Sequence, residues 1–113
     1  MFAGKEVRIF LKGDAKEAYE ELKKRDDKEA KALLKSIERV IAILKDNPQY
    51  GDPVTNKLVP AKYKKLRLNN LYRAELSNFW RMLYTVEGNT IEIFVFVLDI
   101  TDHAQYNKLF GYK

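Results

Sequence analysis

The sequence predicts an α+β domain, with two N-terminal helices packed on one face of a four-stranded, mainly antiparallel sheet. Three observations predict it. An unbroken helical stripe of apolar residues runs from Ala30 to Leu44. Three β-prone segments crowd the second half of the chain, separated by tight turns. One further β-prone run precedes the helices. The order is β-αα-βββ, and laying two helices on one sheet face is the simplest packing that buries the stripe.

Each element has a local cause. Val7, Ile9 and Leu11 alternate with Arg8, Phe10 and Lys12 in a short strand that Gly13 ends. Asp14 and Glu17 have the spacing of a helix cap and its reciprocal glutamate. Ala15, Ala18, Tyr19 and Leu22 then recur at helical steps, so a helix is expected over 14–24. Asp26, Asp27 and Glu29 open a second helix, acids being favoured at its positive end. Leu33, Leu34, Ile37, Val40, Ile41 and Leu44 carry it forward until Asn47-Pro48 stops it. Residues 50–60 hold Gly51, Pro53, Asn56 and Pro60 and read as a loop. Strands are expected over 71–76, 79–86 and 90–100, joined by Ser77-Asn78 and by Glu87-Gly88-Asn89. The last is expected to be buried on both faces in its middle. The tail, 102–113, is aromatic and polar, with room for a short helix.

The chain of 113 residues reads as a single domain over 1–113, with 46% hydrophobic and 33% charged residues. It has no cysteine and one histidine, which excludes disulfides, thiol nucleophiles and multi-histidine metal sites. No metal and no cofactor are expected. No apolar run approaches a membrane span, and no signal-peptide pattern opens the chain. A cytoplasmic protein without membrane contact is expected.

The charge is unevenly placed. Residues 1–52 carry net +1, residues 53–86 net +6 and residues 87–113 net −2. A positive field over one third of a small domain attracts phosphates, and an acidic protein would satisfy the same charge. Lys62, Lys64, Lys65 and Arg67 are the candidate RNA-binding residues.

A candidate site follows from strand parity. Arg73 and Glu75 lie two apart and share a face. Arg81 lies on the next strand of an apparent hairpin. His103 and Tyr106 lie three apart, on one side of a helical turn. Arginines to clamp a phosphate, a carboxylate or imidazole to move protons, and a phenol to stack or donate make a phosphoryl-transfer set. The same residues also have plain structural readings, as solvated charges or strand-to-strand ion pairs. Phe79, Trp80 and Tyr84 read as core or sheet cover rather than stacking platforms.

Residues 71–76, Leu-Tyr-Arg-Ala-Glu-Leu, and 79–86, Phe-Trp-Arg-Met-Leu-Tyr-Thr-Val, resemble the paired tyrosine–arginine strands of the RelE/ParE toxin superfamily. Lys65-Leu66-Arg67 resembles the basic lead-in to those strands. Asp102-His103, followed by Tyr106, resembles the C-terminal catalytic end. The resemblance implies the toxin of a type II toxin–antitoxin pair with a cognate antitoxin. It points to the RelE-like mRNA interferase branch: metal-independent endoribonucleases that cut mRNA on the ribosome by attack of a 2′-OH on the adjacent phosphate. It implies substrate binding by Arg73, phosphate stabilisation by Arg81, and an acid or stacking role for His103 or Tyr106. Glu75 departs from members with a basic residue there. It is either the general base, as a carboxylate is in YoeB-type toxins, or the mark of an attenuated enzyme. The alternatives are a ParE-like non-catalytic gyrase inhibitor and an RNA-binding module.

Overall fold

The computed structural model describes residues 1–111. Strand β1 (Glu6–Leu11) leads into helices α1 (Gly13–Lys24) and α2 (Lys28–Asp46). A two-residue strand β2 (Asp52–Pro53), a short helix α3 (Ala61–Lys64) and strands β3 (Tyr72–Glu75), β4 (Arg81–Gly88) and β5 (Glu92–Thr101) follow. Helix α4 (His103–Leu109) closes the described chain. Of the tail, residues 112 and 113 lie outside the described residues.

The α+β class holds, and β1, α1, α2, β3, β4 and β5 follow in the expected succession, but β2, α3 and α4 are additional and the sheet differs from expectation. It has five strands in the order β1-β5-β4-β3-β2, and it is mixed. The helical hairpin carries the chain from β1 to the far edge of the sheet. Strands β2 to β5 then step back antiparallel, so β5 arrives beside β1 in parallel register, Leu11 opposite Val97. The additional strand is β2, inside the segment expected to be a loop. Pro53 is tolerated because it sits on an edge strand. Gly51 precedes it for a steric reason: a Cβ there would lie 2.7 Å from the Arg73 carbonyl oxygen. Its N–H donates instead to Tyr84 Oη at 2.8 Å.

The helices are not confined to the N-terminal half. On one face, α1 and α2 bury Leu22, Leu33, Ile37, Val40 and Leu44 against Met82, Tyr84, Val95 and Val97. Each such side chain contributes about 1.5–3 kcal/mol on leaving water. On the other face, α3 and α4 supply Tyr63 and Tyr106 to a second core with Leu71 and Leu83. The strand buried on both faces is therefore β4, through Met82, Leu83, Tyr84 and Thr85. In β5, Phe94 and Phe96 stay half-exposed.

The caps divide. Asp27 caps α2 by accepting from the Ala30 N–H, and Arg25 bonds both Asp27 and Glu29. That guanidinium holds the Asp27 carboxyl down at about 2. Asp14 does not cap α1: the helix begins one residue earlier, and Asp14 lies in its first turn.

Candidate functional site

The site lies on the sheet face covered by α3 and α4. Strand parity sends Ala74 and Leu76 into the α1/α2 core, which turns Arg73 and Glu75 to the opposite face. Antiparallel register sets Glu75 directly opposite Arg81. Asp102 caps α4 by accepting from the Gln105 N–H at 2.8 Å, and that cap aims Tyr106 back at the sheet.

Four of the five sequence-predicted catalytic residues converge there. Arg73 Nη1 donates to Tyr106 Oη at 3.1 Å. The Arg81 guanidinium stands 5.0 Å from the centre of the Tyr106 ring, and that of Arg73 5.9 Å. Glu75 lies 3.2 Å from Arg81 Nε and 3.7 Å from Arg73 Nε. Neither Nε–H has an aligned hydrogen bond, so charge alone holds Glu75 between the arginines. Arg73 Nη2 also reaches Asp52 at 3.2 Å. The hydrogen bond to Tyr106, aided by Asp52 and Glu75 against burial, raises the Arg73 pKa above its ordinary value. Beside the cluster, Asp52, Arg73, Tyr106 and Phe110 line a cavity of about 120 Å³.

His103 stands at the rim. It is exposed, its Nε2 lies 3.2 Å from Asn107 Nδ2, and its ring centre is 6.0 Å from that of Phe79. Among the described residues it makes no hydrogen bond or ion pair with Arg73, Glu75 or Arg81.

The basic segment splits. Lys64, Lys65 and Arg67 are exposed and make no ion pair among the described residues. Lys64 and Arg67 flank a cavity of about 250 Å³ with no carboxylate in its lining. Lys62 points elsewhere: its Nζ lies 2.7 Å from Asp14 Oδ2 and 2.6 Å from Asp99 Oδ2. Burial opposes its charge, but the two carboxylates outweigh burial and raise its pKa. The Tyr63 hydroxyl donates to the same Asp99 oxygen, and burial with that carboxylate pushes the phenol well above its usual range.

Two neighbours were missed by sequence reasoning. Asp52 had no signal because its segment read as a loop. Phe79 reads as core or sheet cover, yet it is 71% exposed, with φ of +63°. Asn78 before it is also left-handed, at +55°. Bulky residues rarely adopt that conformation, and such strain collects at functional sites. The Phe79 carbonyl accepts from Arg81 Nη1, so the strained turn also positions that guanidinium.

A small mixed sheet carries a helical hairpin on one face and an arginine–tyrosine–carboxylate cluster on the other. Residues 10–104 match the family described as ParE toxin of the type II toxin–antitoxin system, parDE. The chain belongs to that family, within the RelE/ParE toxin superfamily. It is a type II toxin, and its partner class is an antitoxin protein. No curated protein and no solved structure matches it. Among the described residues, no helix is long and apolar enough to cross a membrane.

Proposed function

We propose that this toxin is a metal-independent endoribonuclease that cleaves mRNA on the ribosome in the cytoplasm. One observation carries the reading: Arg73, Glu75, Arg81 and Tyr106, drawn from two strands and a helix, meet within hydrogen-bonding and stacking distance, with His103 at the rim. A scissile phosphate entering beside Arg81 and Arg73 meets two guanidinium forks, which suit the dianionic charge of a pentacoordinate phosphate. Glu75, held by charge without aligned hydrogen bonds, is free to turn and take the 2′-OH proton. The 2′ oxygen attacks phosphorus, the bond to the 5′ oxygen breaks, and His103 returns a proton to that leaving oxygen. The products are a 2′,3′-cyclic phosphate and a 5′-OH. Phe79 offers an exposed face for an unstacked base beside His103. Lys64, Lys65 and Arg67 take the flanking phosphates, while Lys62 anchors α3 through Asp14 and Asp99.

A second reading rests on a different observation. Asp52 and Glu75 already balance the two arginines, and the family description names ParE. A non-catalytic toxin that inhibits gyrase fits a cluster serving only to fasten α4 to the sheet. The purified toxin is to be added to translating ribosomes and, separately, to gyrase with relaxed plasmid. New 5′-OH ends in ribosome-bound mRNA support cleavage. Blocked supercoiling with intact mRNA supports the second reading.

A further inference from the structure

Strand β1 is an outer strand of the sheet and pairs with β5 on one side only. Its side chains alternate. Val7, Ile9 and Leu11 join the α1/α2 core, while Glu6, Arg8, Phe10 and the still extended Lys12 share the opposite face. Its main-chain groups alternate too. The Lys12 N–H donates to the Val97 carbonyl at 2.9 Å, so by parity the amides of Phe10 and Arg8 also point toward β5. Those of Val7, Ile9 and Leu11 point outward, and among the described residues no segment bonds them. Phe10 stands beside this edge, 40% exposed.

An open edge is a template for another strand, and charges on it commonly deter pairing. Here the charges match a second copy of the same strand. Glu6 and Lys12 are exposed and make no ion pair among the described residues, whereas Arg8 is held by Glu92 at 2.6 Å. A second β1 running antiparallel about a two-fold axis at Ile9 sets Glu6 opposite Lys12 at both ends, and Arg8 opposite the Phe10 ring. Ile9 then exchanges main-chain bonds with its own copy, and Val7 with Leu11, which uses every outward group of the strand. The neighbouring symmetric registers fail. An axis at Arg8 sets that guanidinium against itself, and an axis at Phe10 sets Arg8 against Lys12. A nucleic acid suits this edge poorly, because β2, β3 and β4 of the segment that carries net +6 lie beyond β5.

We propose that two copies of this chain pair through β1 into one continuous sheet, in the register centred on Ile9. The edge lies outside the arginine cluster, so the pairing is compatible with cleavage and with gyrase inhibition alike. Sedimentation equilibrium of the full chain over a range of concentrations should show reversible dimerisation. Glu6→Lys and Lys12→Glu each set like charges opposite at both ends of the interface, and each should weaken the dimer about tenfold. Mixed together, the two variants should associate like wild type, since each supplies the charge the other lacks. Both side chains are exposed, so the melting temperature of dilute protein should change little. Amide exchange reads the register: Val7, Ile9 and Leu11 should gain protection as concentration rises, while Arg8 and Phe10, bonded to β5, stay protected throughout. The proposal is overturned if the chain alone is monomeric at every concentration, as it would be were this edge reserved for an extended strand of another protein. It is also overturned if the single variants dimerise like wild type, or if their mixture does not associate.

Discussion

On the face covered by α1 and α2, the sheet meets Leu33, Ile37, Val40 and Leu44, side chains with no polar atoms to satisfy. On the opposite face, α3 and α4 reach it largely through polar groups: Tyr63 and Lys62 bond Asp99, and Tyr106 bonds Arg73. The first face is held by area removed from water. The second adds directional bonds to a small core of Leu71 and Leu83. A directional face can be rearranged by a ligand that offers the same bonds, whereas an oily one can only be opened. That difference is why the proposed chemistry belongs to the α3/α4 side.

The comparison can be broken by substitution, beginning with the largest effect. Leu33→Ala, on the oily face, is expected to cost about 2–5 kcal/mol, since α2 cannot collapse onto the cavity left behind. Denaturant unfolding checks this, and cleavage by the folded fraction should stay at the wild-type rate. Tyr63→Phe, on the polar face, leaves buried Asp99 with Lys62 alone and should cost about 1–3 kcal/mol. Gly51→Ala should cost about 1–3 kcal/mol through backbone overlap at Arg73, and should loosen β2 and with it Asp52.

Alkali probes Tyr84 in the oily core. Burial pushes its phenol up to about 12, above its ordinary value of 10.0. A raised pKa means that the folded state favours the protonated phenol. Its contribution is whole below pH 10 and is lost as pH rises toward 12. Melting curves from pH 9 to 12 should therefore decline, and Tyr84→Phe should flatten the decline. The smallest stability effect is expected at Phe79. Phe79→Gly relieves a left-handed backbone at a side chain that buries little, so the melting temperature should hold or rise. Cleavage should nevertheless slow if the ring receives a base.

The two faces were also unequally legible in the sequence. The α2 stripe is periodic over about four turns, and nothing in tertiary context competes with that signal. Arg73, Glu75 and Arg81 could be grouped in advance because strand parity and hairpin register are short-range rules. Helix α3 could not, because four residues carry no period. The Lys62 pairs with Asp14 and Asp99 span 48 and 37 residues, and no local pattern joins them. Strand β2 was hidden by Gly51 and Pro53, which mark loops and edge strands alike. The left-handed turn at Asn78 and Phe79 was hidden because phenylalanine is a poor residue for it, and only the fold around Arg81 imposes it.

The central claim is that the polar face performs a reaction, and Arg81 is where reaction and scaffold separate most sharply. Its guanidinium packs half-buried against Tyr106 and Glu75, so a scaffold role predicts loss of stability on substitution. The direct measurement is single-turnover cleavage of ribosome-bound mRNA by wild type, Arg81→Lys and Arg81→Ala, each with its melting temperature. Catalysis predicts that Arg81→Ala remains folded and ribosome-bound but cleaves about 10²–10³ times more slowly. Lysine should restore charge but not the fork, and so only part of the rate. Wild-type cleavage rates in both variants, or activity lost only in step with unfolding, would contradict the account.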